Sequence, residues 1–172
     1  MCIAGVMAAL YLGLDFLAVS ISAPFLGALK ISFSGLPVII TAIVCGPWWG
    51  AASGLIGAFA GQMITYGMSA TTVLWILPAF ARGLSVGYLF ILFKRSLKTG
   101  TLVLETCLSS LLVTLLNTGA MLIEQVLYGY YSSYFAIFIA IPSRIVAGIL
   151  TAICFALLLP KLVKTIKNHI RI

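Results

Sequence analysis

The scarcity of charge constrains this chain more than any other feature. Asp, Glu, Lys and Arg make up 8% of its residues and hydrophobic types 63%, where an ordinary soluble domain is roughly 25% charged. So little polar surface cannot cover a water-soluble globule, so the lipid bilayer is the expected solvent. The chain's 172 residues leave room for about six spans of ~20 residues and no extramembrane domain of folding size. The expected fold class is therefore all-α: a single six-helix transmembrane bundle over residues 1–172, multi-pass in the cell membrane.

Six apolar segments fall at about 2–20, 34–46, 47–65, 73–93, 101–127 and 135–160. The second is short, with Pro37 near its start. The third opens on Gly46-Pro47-Trp48-Trp49-Gly50, a tight turn with Pro at the first helical position and tryptophans at interface depth. No Lys or Arg precedes the first run and Asp15 interrupts it, so it reads as a spanning helix and not as a signal peptide.

The net charge of +7 is a topology signal and does not imply nucleic acid. Lys94, Arg95 and Lys98 follow span four, and Lys161, Lys164, Lys167 and Arg171 fill the tail, against Lys30 alone on the opposite side. The positive-inside rule then puts both termini in the cytoplasm. The outward loops become about 20–33, 66–72 and 128–134. The first, with Pro24 and Lys30, suits a lid. Tyr66, Tyr128, Tyr130, Tyr131 and Tyr134 lie where an aromatic belt forms. No internal repeat marks an inverted-repeat carrier.

Two arginines fall inside predicted spans. Arg82 and Arg144 each lie about nine residues into spans four and six, entering from outside, hence roughly 13 Å below the outer surface. Each costs about 2.5–3.5 kcal/mol on insertion scales unless something compensates. One compensation is an ion pair with Asp15 or Glu124. The other is a cavity that takes an anionic solute, whose carboxylate or phosphate matches the planar fork of Arg. Trp75 lies seven residues before Arg82 on the same helical face. Asn117, Met121, Glu124 and Tyr128 form one stripe on span five, facing either a cavity or a neighbouring helix.

Span three carries Gly50, Gly54, Gly57 and Gly61 at helical spacing, a groove for internal packing. Gln62 and Tyr66 at its outer end are within reach of the same cavity. Span one has two small-residue ladders, Ala4 with Ala8 and Gly5 with Ala9. The first continues to Tyr11 and Asp15; the second is rotated about 100° away and meets either a partner helix or the bundle itself.

No catalytic set is visible. The one histidine, His169, lies in the tail, no nucleotide-binding stretch occurs, and no metal motif or cofactor is implied. The four cysteines are isolated and read as small buried hydrophobes. The expectation is a binding protein and not an enzyme. A membrane enzyme acting on a lipid or isoprenoid phosphate, with the arginines as phosphate clamps, and an autonomous small-solute transporter stay open as alternatives.

Several segments together resemble the substrate-binding S component of energy-coupling factor (ECF) transporters. They are the small-xxx-small first helix, Lys-Ile-Ser-Phe-Ser-Gly-Leu-Pro at 30–37, the turn at 46–50 into a Gly-rich span, and Pro142-Ser143-Arg144 in span six. The resemblance covers nearly the whole chain and is closest to the folate-type subgroup. It implies capture of a vitamin or vitamin-like molecule from outside, and delivery inward with a membrane coupling (T) subunit and two ATPase subunits. Substrate contacts then fall to Arg82, Arg144, Trp75, Asn117, Asp15, Gln62, Tyr66 and Glu124, and docking to Gly5, Ala9, Ala4 and Ala8. Span three has Gly61 and Gln62 where that subgroup often has an Asp.

Overall fold

The computed structural model describes residues 2–23, 27–131 and 134–170. Within them lie six helices: α1 (Cys2–Phe16), α2 (Gly35–Cys45), α3 (Pro47–Tyr66), α4 (Thr72–Leu92), α5 (Thr99–Tyr128) and α6 (Tyr134–Ile170). Between α1 and α2 runs an antiparallel ribbon of β1 (Val19–Ala23) and β2 (Gly27–Ile31). The helical bundle is as expected; the ribbon replaces an irregular loop. Pro24 and Arg171 lie outside the described residues.

Three helices are long and apolar enough to cross a bilayer, at Thr72–Leu92, Thr99–Tyr128 and Ile137–Ile166. Their large side chains point outward: Leu92 is 74% exposed and Leu115 70%. That pattern is inverted relative to a water-soluble core and fits lipid contact. Exposed Cys154 shares this lipid face, correcting the buried reading of that cysteine.

The other helices are tied together by close backbone approach. The 11 residues of α2 span only about 16 Å, half of a ~30 Å hydrocarbon core. Protein surrounds it, with Val38, Ile39, Ile40, Thr41, Ala42 and Ile43 buried. Gly46, at φ +106°, turns the chain into Pro47 at the start of α3. A Cβ on Gly50 would sit 2.5 Å from the Ala42 Cβ of α2, and one on Gly54 would sit 2.5 Å from the Ala79 carbonyl of α4. From the other side, a Cβ on Gly83 would overlap the Gly50–Ala51 backbone. The glycine groove therefore serves internal packing, as its spacing suggested.

One end of the bundle is a dry apolar cluster. Ile39, Ile40 and Ile43 meet Val86 and Phe90 of α4, Leu102 of α5, and Phe155, Leu159 and Val163 of α6. Leu97, Leu162 and Ile166 pack on its edge. The basic 94–98 turn therefore sits at the same end as Lys161 and Lys164.

Two boundaries differ from expectation for physical reasons. Helix α1 stops at Phe16 because the chain then alternates as Val-Ser-Ile-Ser-Ala, a strand period. Helix α6 continues through Pro142 and Pro160 to Ile170; in each case proline removes one backbone bond, which neighbouring structure absorbs. The ribbon packs its second strand against α6, and Phe33 beyond it lies 6.0 Å from Phe155, ring centre to ring centre.

Candidate functional site

Above the apolar cluster, α1, α3, α4, α5 and α6 part around a cavity of about 600 Å³. Its walls carry Tyr11 and Asp15 from α1, Gln62 from α3, Trp75 and Arg82 from α4, Asn117 from α5, and Ser143, Arg144 and Thr151 from α6. Ser32 and Ser34, between the ribbon and α2, complete it. Prolonged apolar helices thus enclose a chamber rich in hydrogen-bonding groups.

The two arginines stand level. Ser85 Oγ lies 2.8 Å from Ser109 Oγ, and a Cβ on Gly148 would sit 3.4 Å from Ser110 Cβ. These contacts set the antiparallel registers, placing residue 82 opposite 112 and residue 144 opposite 114, roughly 3 Å of helical rise apart. Their surroundings differ. Arg82 lies along the first residue of α2, where a Cβ on Gly35 would overlap its Nη1. Arg144 donates from Nη2 to Met121 Sδ at 2.7 Å, while its Nη1 is buried without a partner among the described residues.

Among the described residues neither arginine pairs with Asp15 or Glu124. Both Glu124 oxygens are occupied: Trp75 Nε1 donates to Oε1 at 2.7 Å and the Tyr131 hydroxyl donates to Oε2 at 3.2 Å. Burial and then the Glu124 carboxylate hold the Tyr131 hydroxyl above its ordinary pKa, which keeps it a donor. Gln125 Oε1 accepts from the Tyr131 backbone N–H at 2.7 Å, fixing that loop to α5. Asp15 Oδ1 accepts only a long 3.5 Å bond from Ser32 Oγ, which itself lies 2.8 Å from Ser34 Oγ.

The expected site residues therefore separate. Arg82, Arg144, Trp75, Asn117, Asp15 and Gln62 line one cavity. Glu124 does not line it; buried behind Trp75, it fixes that indole. Tyr66 ends α3 at 74% exposure and also lies outside the cavity wall, because its last turn faces away from the bundle. On α1, Ala4 and Ala8 are buried in the bundle, which corrects their reading as docking residues. Gly5 and Ala9 are exposed. Ala9 belongs to a shallow apolar groove with Val6, Leu10, Gly13, Leu14 and Leu17. Lys30 is in β2, paired in register with Ser20.

Sequence reasoning passed over Ser32, Ser34, Ser143 and Thr151. Hydroxyls in membrane helices commonly bond back to their own turn, as Thr151 does to the Ala147 carbonyl at 2.8 Å, so their spacing carries no cavity signal. Tyr11 did carry one, lying one turn before Asp15 on the same face.

A membrane bundle that encloses a polar chamber defines a solute-binding membrane protein. A family model, that of the substrate-specific component of ECF transporters, matches residues 1–159, and the chain belongs to that family. Its fold is similar to a solved S component of a bacterial ECF transporter, with a TM-score of 0.65, 24% identity and 96% of each chain covered. No curated protein matches the chain. The chain is thus a substrate-binding transporter subunit, multi-pass in the cell membrane, and not an enzyme. The lipid-phosphate enzyme is set aside.

Proposed function

We propose that the cavity captures a vitamin-like solute, anionic and aromatic and so folate-like in character, from outside the cell. Arg82, Arg144, Trp75, Asn117, Asp15 and Gln62 make the contacts. The observation that carries this reading is a chamber of about 600 Å³ whose wall includes two arginines, neither paired with a carboxylate among the described residues. A guanidinium kept there without a carboxylate is costly until an anion arrives, and the volume suits one small molecule.

Titration of monodisperse protein with folate tests it. Arg144→Ala should weaken binding about ten- to hundredfold, the loss of one charge-assisted hydrogen bond of roughly 1.5–3 kcal/mol. Arg144→Lys should recover only part, since a point charge cannot reproduce the fork. Unchanged affinity in Arg144→Ala would remove the anion site.

The ribbon, with Pro24 and Lys30, acts as the lid. The exposed Gly5–Ala9 face of α1 docks on a membrane coupling subunit that works with two ATPases, small residues permitting close backbone approach. Both termini and the 94–98 turn face the cytoplasm, following the bias of Lys and Arg. A cysteine at position 97 should resist membrane-impermeant thiol reagents in intact cells; labelling from outside would reverse the orientation.

A further inference from the structure

The cations at the dry end of the bundle have no counter-charge within the chain. Lys and Arg number 10 against 3 Asp and Glu, and each acid is committed elsewhere. Asp15 lines the chamber, Glu124 holds Trp75 and Tyr131, and Glu105 is fully buried. Lys94, Arg95, Lys98, Lys161 and Lys164 are all exposed, and no side-chain hydrogen bond or ion pair joins any of them to another group among the described residues. They stand at one level. Thr106 Oγ1 of α5 donates to the Ala152 carbonyl of α6 at 3.3 Å, so counting nine residues back from 106 and nine on from 152 brings Lys161 level with residue 97. Leu97 and Leu162 pack on the same apolar cluster, which pins the two basic segments side by side.

Two features go beyond what a topology signal requires. Lys94 and Arg95 both have φ +55°, a left-handed conformation that a helix C-terminus ordinarily gives to Gly. The Arg95 N–H donates to the Phe90 carbonyl at 2.8 Å and holds the turn in that form, so the chain keeps two cations where glycine would be easier. The second feature is what lies beside them. Leu157 and Leu158, one turn before Lys161 on the same face of α6, are 63% and 45% exposed. A cationic rim over a lipid-facing apolar stripe complements one kind of molecule, with an anionic head and apolar tails. An acidic protein surface matches the rim alone. We propose that this end of the bundle seats an anionic phospholipid, its phosphate against Lys98, Lys161 and Lys164 and its acyl chains along Leu157 and Leu158. Lys94 and Arg95 add attraction from the adjoining turn. The seat is independent of what the chamber binds.

Native mass spectrometry of the full chain in detergent, with equal amounts of dioleoylphosphatidylglycerol and dioleoylphosphatidylcholine, tests the seat. Wild type should retain the anionic lipid over the neutral one by about tenfold or more, each cation near the phosphate contributing about fivefold. The triple variant Lys98→Gln, Lys161→Gln, Lys164→Gln should stay monodisperse and bring that ratio close to one. Lys94→Gly with Arg95→Gly separates lipid binding from a structural role. Its melting temperature without lipid should hold or rise, because glycine suits the left-handed turn, while the preference for the anionic lipid falls. The proposal is overturned if wild type retains the two lipids equally, if the triple variant keeps the preference, or if the glycine variant melts lower and keeps it. Equal retention by wild type, with uptake into cells lost in the triple variant, would assign the rim to an acidic partner protein instead.

Discussion

Glu105 is fully buried and Arg144 half-buried on the α5–α6 pair, and among the described residues both carry buried polar atoms without a partner. Around Arg144 the helices part, and the residue lines a chamber with Asn117, Ser143 and Thr151, its Nη1 covered just behind the surface. Around Glu105, fully buried one turn from Leu102 at the dry end, the helices close and leave it no chamber. The contrast shows what an unpartnered polar atom means in a membrane bundle. Beside a cavity it is unused binding capacity; against a packed wall it is a cost to the fold, of about 1–3 kcal/mol for each unsatisfied group.

The seam shared by both regions gives the largest expected effect. Gly83→Leu drives a side chain into the Gly50–Ala51 backbone, where no flexible atom can yield. Helices α3 and α4 should separate, taking the chamber and the apolar cluster with them. Size-exclusion chromatography should show no monodisperse protein, and a normal profile would mean the two regions do not depend on this seam.

A second substitution separates the outside of the bundle from both interior regions. Ala9→Trp fills the exposed groove on α1 and touches neither the cavity nor the cluster. Uptake into cells should be lost while ligand affinity of the isolated subunit stays near wild type. A parallel loss of affinity would assign this face to internal folding.

The smallest effect concerns Glu105 itself. Glu105→Leu keeps the volume close and removes the unsatisfied carboxyl, so thermal stability should rise, by about 1–3 kcal/mol, with ligand affinity unchanged. A fall in affinity would show that Glu105 communicates with the chamber and would break the comparison.

Much of this could be read in the residues, for identifiable reasons. The limits of α3, α4 and α5 lie within two residues of the apolar runs, because leaving lipid is a sharp physical event. Arg82 and Arg144 stood out because charge in a span is expensive. Glu105 did not, because an acid four residues into the run 101–127 looks interfacial. Trp75 and Glu124 were both noticed, but their 2.7 Å bond joins positions 75 and 124 on separate helices, a tertiary contact that no spacing within one helix encodes. The ribbon was missed where Val-Ser-Ile-Ser-Ala follows a helix without Gly or Pro to announce the change.

That ribbon has a mechanical consequence. Five consecutive pairings, from Val19 with Ile31 to Ala23 with Gly27, join its strands to each other. An irregular segment packed against α6 would draw its amide partners from the surrounding helices, and moving it would strand them in a medium that offers no replacement. A ribbon carries most of its partners with it. Acting as the lid proposed above, the ribbon would swing as a hinged panel without unravelling, because its paired amides travel with it.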